Sequence, residues 1–223
     1  MVAKTERRYN VASRLMHLAI ADEICKRDTI SDRKRFLLGS ILPDAKIDSA
    51  LRSAPHYQII LPDGRLTYDL SAFRKSFGEK LLTDGLYLGY YLHLIQDMVY
   101  RQYMYALPYW DARIPGNVAK LHADYRKINR HIIDSRRLKY EYLADEDFAD
   151  EEINKSFGFE IEKFLRELEL DFQLMQEGEY SVFTPAMAEE YIALALEASL
   201  RELSALRSGG KLADEFGMTW GKE

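Results

Sequence analysis

Hydrophobic positions along this chain fall mostly at three- and four-residue spacings, the period of an α-helix. From Tyr9 to Lys26 the residues Val11, Leu15, Leu18, Ala19 and Ile24 follow that spacing and predict an amphipathic helix with His17 inside it. Ser31 is the expected N-cap of a second helix, "DRKRFLLGSILPD", which should stop at Pro43 because a residue before proline is pushed out of the helical region. Asp44 then falls at a helix-to-loop corner. "YQIILPDGRLTYDL" has short β-prone runs around Pro62-Asp63-Gly64, a turn signal, and predicts a small hairpin. Residues 71 to 104 return to helix, and so do 116 to 140, where Val118, Leu121, Tyr125, Ile128 and Ile132 form the apolar stripe. "ADEDFADEE" reads as a solvated acidic segment. Two amphipathic helices follow, from about Glu160 to Gln176 and from Pro185 to Arg207, the second opened by Thr184-Pro185 and closed by Gly209-Gly210. The expected fold is all-α, a multi-helix bundle with one small β-hairpin inserted. One domain over 1–223 is expected, with a helical core in 1–140 and the helices of 141–223 packing on it or at a homodimer interface.

One helical stretch breaks the apolar pattern. "LGYYLHLIQDMVYR", residues 88 to 101, is hydrophobic on most faces and so should be buried, yet it carries His93 and Asp97 one turn apart on a common face. An ionised carboxylate in such a place must be paired, protonated or bound to a metal, since burying it alone costs many kcal/mol.

Composition narrows the function classes. The chain has 223 residues, with 31 Lys and Arg against 36 Asp and Glu, so its formal net charge of -5 offers no field for nonspecific nucleic-acid binding. Cys25 is the only cysteine, which excludes an intramolecular disulfide, and the start "MVAKTERRYN" lacks the apolar core of a signal peptide, so a cytoplasmic location is expected. No apolar run approaches the roughly 18 residues of a spanning helix, and the C-terminal helices are acidic, so no stable membrane association is expected.

The five histidines are His17, His56, His93, His122 and His131. His17, Asp44, His56, His93 and Asp97 together offer the imidazole and carboxylate donors that zinc and similar divalent ions take at about 2.0 to 2.2 Å. Each has an ordinary explanation when taken alone. A His/Asp pair at i, i+4 can simply hydrogen-bond, His17 can be a capped core histidine, and an aspartate after proline is usually a turn residue or a cap. The set as a whole, in its order along the chain, carries the metal hypothesis.

That order, "MHLAIADEI", "LLGSILPDA", "APHYQ" and "LGYYLHLIQD", resembles the zinc-dependent phospholipase C family, which is similar to the single-strand-specific zinc nucleases in its all-α fold. The resemblance covers residues 11 to about 104. It implies that His17, Asp44, His56 and the pair His93 and Asp97 bind a zinc cluster of one or two ions. Three features of the family pattern are missing. An N-terminal tryptophan ligand is replaced by "MVAKT", a histidine about ten residues after His93 by Tyr103, and the expected histidine-glutamate pair by His122 with Arg126. His131 with Asp134, and Asp124 nearby, are substitute candidates, although solvated helix residues are the plainer reading.

The chemistry implied is hydrolysis of a phosphoester or phosphodiester by metal-activated water, with a small phosphoester as substrate and Asp44 both a ligand and the catalytic base. Arg101, Arg126 and Arg130 are candidate phosphate contacts, the alternative being arginines that face water. The aromatics of "YRQYMYALPYW" offer a pocket lining or a piece of core. An HD-type phosphohydrolase would need an adjacent His-Asp dipeptide, and none exists. The competing class is a noncatalytic helical protein holding one structural ion and using its C-terminal helices for partner binding or dimerisation.

Overall fold

A computed structural model describes residues 12–45, 55–140, 148, 150–174 and 176–221. The described residues form eight α-helices and one two-stranded antiparallel sheet, so the chain is mainly α-helical. Helix α1 spans Arg14–Arg27, and Ser13 caps it by accepting the Leu15 N–H. Its first expected turn, Tyr9 to Val11, lies outside the described residues. Helix α2 spans Arg33–Gly39. Its N-cap is Asp32, which accepts the Arg35 N–H, and not Ser31. This helix also stops earlier than Pro43, and Leu42–Asp44 forms a separate 3-10 turn that puts Pro43 in its first positions.

The hairpin pairs β1, Gln58–Ile60, with β2, Leu66–Tyr68, in the register Gln58 to Tyr68. Gly64 takes a φ of 82° in its turn, a conformation open to glycine and costly for most residues. The tail adds to this unit through a bridge between Leu66 and Trp220.

The expected continuous helix from 71 to 104 is divided. Helix α3 spans Leu70–Phe77, a 3-10 turn covers Gly78–Lys80, and α4 begins at Gly85 and runs to Tyr105. Asp84 makes the break, because its carboxylate accepts the Leu86 N–H at 2.9 Å as an N-cap while also receiving Arg35 at 3.0 and 2.8 Å. Helix α5 spans Asn117–Arg136, a short α6 covers Glu152–Phe157, α7 covers Ile161–Gln173, and α8 covers Pro185–Arg207. Most of the acidic segment 144–152 lies outside the described residues, although Phe148 is buried and Glu151 pairs with Arg35 at 2.6 Å.

Helix α4 runs through the core, packed against α2 and α8, while α1 packs on α8 and α5. The approach of α2 to α4 is unusually close. A Cβ on Gly39 would run into the Leu86 carbonyl, and one on Gly89 into the Phe36 carbonyl, so two backbones touch where side chains would normally hold helices apart. This contact brings the carbonyl of Ser40, just after α2, against α4. Among the described residues, no helix is long and apolar enough to cross a membrane.

Candidate metal centre

Four separate segments deliver the five predicted donors to one place. His17 comes from α1, Asp44 from the 3-10 turn, His56 from the loop before β1, and His93 and Asp97 from the middle of α4. His17, His93 and Asp97 are fully buried, and the side chains of Asp44 and His56 are 8% and 11% exposed. Tyr57, directly after His56, sits in the left-handed region at a φ of 54°, held by the Asp69 N–H bonding its carbonyl at 2.8 Å. A bulky residue there costs about 1–3 kcal/mol, strain of a kind that collects beside functional groups.

The outward nitrogens of two rings are already occupied. Nδ1 of His93 lies 2.8 Å from the Ser40 carbonyl, which can only accept, so Nδ1 carries the proton and a neutral ring turns its Nε2 lone pair inward. Burial, followed by the nearby His17 charge, pushes the His93 pKa down to about 3, which keeps that ring neutral. Nδ1 of His17 lies 2.8 Å from Gln96 Oε1. The Gln96 amide is oriented by donating its NH2 to Ser199 Oγ at 3.3 Å, whose own proton goes to the Ala195 carbonyl at 2.7 Å. The oxygen of Gln96 therefore faces His17 as an acceptor. His17 Nε2 is left with no hydrogen-bond partner, as is Oδ2 of Asp44. His17 Nε2 stands 3.3 Å from Asp97 Oδ1, close enough for a strong charge interaction between the ring and the carboxylate. Burial lowers the His17 pKa and the two carboxylates raise it; the net direction is upward.

Asp97 is not rescued by an ammonium. Its Oδ2 accepts the Tyr68 hydroxyl at 3.2 Å and its Oδ1 accepts the Ala12 N–H at 3.3 Å. Burial raises its carboxyl, but the surrounding imidazoles outweigh burial and hold it, like Asp44, below the ordinary carboxylate range.

The spacing of the inner atoms defines what the cluster can hold. His56 Nε2 is 3.3 Å from His93 Nε2, 3.4 Å from Asp44 Oδ1 and 3.4 Å from Asp97 Oδ2. His93 Nε2 is 3.9 Å from Asp44 Oδ1 and 3.7 Å from Asp97 Oδ2. Four ligands arranged tetrahedrally at about 2.0–2.2 Å from an ion stand about 3.3–3.6 Å apart. Three of the five distances lie within that range and two are slightly longer. The donors also form two overlapping triples, His17 with Asp44 and His93, and His56 with His93 and Asp97. Inward-facing ring nitrogens, a carboxylate oxygen lacking a partner and ligand-like spacing fit a divalent cation, which these buried groups can hold.

The other polar candidates lie elsewhere. Asp124 is buried rather than solvated, and its carboxylate accepts the N–H groups of Ser181, Val182 and Phe183 and the Lys127 ammonium. Its task is to hold the strand of chain leading into α8. His131 pairs with Glu189 at 2.9 Å and Asp134 with Arg130 at 2.6 Å, both on the surface. That second pair engages Arg130 on the exposed face of α5. Arg101 does not face solvent: it is fully buried, with its guanidinium over the Trp220 ring at 5.2 Å. Tyr100 and Trp110 of the aromatic run are core. Arg126 and His122 instead line a cavity that has Asp44 in its wall.

Gln96, Ser40 and Tyr68 hydrogen-bond the cluster, at positions that the spacing of acids and histidines does not reveal. The one signal for Ser40 is the Gly85/Gly89 pair at i, i+4, which marks a face of α4 open to close backbone approach. Fold and cluster together define a mainly helical protein with a buried imidazole-carboxylate centre able to hold a divalent ion. Comparison with family models, curated proteins and solved structures finds no match.

Proposed function

We propose that the protein is a metal-dependent hydrolase of phosphoesters, with zinc as the metal and a bundle of the phospholipase C and zinc nuclease type. The observation that carries this reading is the pairing of the inward Nε2 lone pair of neutral His93 and the inward-facing Nε2 of His17 with an Asp44 oxygen that has no partner. His56, His93, Asp44 and Asp97 would hold a first ion, and His17 with the second oxygen of Asp97 would contribute to another. A bound divalent ion supplies Lewis acidity, lowering the pKa of water toward about 7 and stabilising charge on a phosphoryl oxygen. Asp44 does the proton work. Its Oδ1 faces His56, and its buried Oδ2, which has no hydrogen-bond partner, would orient and deprotonate a water admitted beside it from the cavity that Asp44 helps to line. Gln96 and Ser40 fix the ring orientations, so the donors need not reorganise when charge develops.

A second reading has its own support. Four protein donors at near-tetrahedral spacing are what a closed structural ion requires, and such an ion would make the protein a noncatalytic helical module. Chromogenic phosphomonoesters and diesters, assayed with zinc-loaded and chelated protein, separate the two. The hydrolase reading expects turnover abolished by chelation and reduced about 100- to 10,000-fold in Asp44→Asn. Stoichiometric metal with no turnover across the panel selects the structural ion.

A further inference from the structure

Resting on the hydrolase reading above, we propose that Arg126 grips the substrate's phosphoryl group and that the cavity beside Asp44 takes a compact phosphoester of a hydroxylated alcohol, such as a sugar or polyol phosphate. The cavity has a volume of about 290 Å³, and Asp44, Arg14, Arg126, Asn129 and Asp171 contribute to its wall. Its two arginines are in different states. Arg14 donates Nε to Asp171 at 2.8 Å and stands 3.4 Å from Glu167, so its charge is already matched. Arg126, from α5, is exposed at the cavity wall and forms no ion pair with any described residue. A guanidinium offers parallel N–H donors that match two phosphoryl oxygens, a fit that an ammonium lacks.

The remaining wall suits hydroxyl groups. Ser13 Oγ donates to Asn129 Oδ1 at 3.4 Å, and Asn129 Nδ2 reaches the Asp171 carbonyl at 3.5 Å. Both bonds are long, and each partner can exchange one for a shorter bond to a sugar hydroxyl. The volume is at the small end of ligand pockets, which run from about 300 to 1,000 Å³, and so suits a sugar phosphate better than a two-chain lipid.

The test is calorimetric titration of the zinc-loaded full chain with inorganic phosphate, ribose 5-phosphate, pentyl phosphate and a short-chain phosphatidylcholine, with zinc content measured on every sample. Phosphate binding is expected to weaken about tenfold in Arg126→Gln and by a smaller factor in Arg126→Lys, with zinc content unchanged. Ribose 5-phosphate is expected to bind more tightly than pentyl phosphate. Phosphate affinity of Arg126→Gln within about twofold of the parent, or tighter binding of pentyl phosphate or of the lipid than of ribose 5-phosphate, overturns the proposal at normal zinc content. A parent protein that takes up no zinc overturns the underlying reading instead. Because Arg126 is exposed, folding of the variants is not at stake.

Discussion

Two sets of polar residues that look alike in one dimension have opposite fates in three. His17, Asp44, His56, His93 and Asp97 converge with unsatisfied or inward-facing atoms, whereas His122, Asp124, His131 and Asp134 of α5 disperse around one helix. Asp124 shows the contrast best. It is as buried as Asp97, yet three backbone N–H groups and a lysine satisfy it, and nothing more is required to explain its charge. Asp97 receives one hydroxyl and one N–H among three imidazoles. Burial of a carboxylate is therefore a question, and the character of its partners is the answer.

Mutations that separate the two sets sharpen this comparison. Asp97→Asn should weaken zinc binding by at least about 100-fold in a chelator competition, because it removes a charged ligand rather than a supporting group. Gln96→Leu leaves every ligand in place but frees the His17 ring, and a loss of about 10- to 100-fold is expected in the same competition. Unchanged affinity there would mean that the amide does not orient the ring. Gly89→Ala forces α2 away from α4 and with it the Ser40 carbonyl; denaturant titration should show about 1–3 kcal/mol of destabilisation, with a smaller fall in zinc affinity. Asp124→Asn is the counterpart. It should lower stability by about 1–3 kcal/mol and leave zinc affinity as it was.

The metal-free chain should also respond to pH on both sides of the ordinary histidine value. His93, with a folded pKa near 3 against 6.5, leaves the unfolded chain holding an extra proton between those values, so its effect is to lower stability as pH falls through that window. The His17 pKa is raised, so its contribution is fully present below 6.5 and is lost as pH rises through the folded value. Asp44 and Asp97, held low, add stability that disappears only as acid takes pH below the ordinary carboxylate value through their folded ones. The site's contribution to metal-free stability should therefore be largest near pH 6.5. A melting midpoint that climbed steadily from pH 6.5 to 4 in the parent but not in His93→Phe would show that His93 is not held neutral.

Much of the architecture could be read from periodicity. The bounds of α8, the hairpin turn at Gly64 and the helical setting of His17, His93 and Asp97 all follow from local pattern and capping chemistry. The break before α4 could not, because Asp84 acts as a cap through a carboxylate that Arg35 and not its own neighbours holds in place. Burial of Arg101 was hidden for a similar reason, since the Trp220 ring that covers it arrives from the far end of the chain. The donor residues were visible by type. Their orientation was not, because Ser40, Gln96 and Ser199 act through tertiary contacts that leave no spacing to detect.

Elemental analysis of chelator-stripped protein refilled with zinc, in the parent and in His93→Ala, tests the central claim most directly. The parent should retain about one to two ions per chain and the variant should lose at least one of them. Equal zinc content in both, or none in the parent, would contradict the account of the buried cluster as a metal centre.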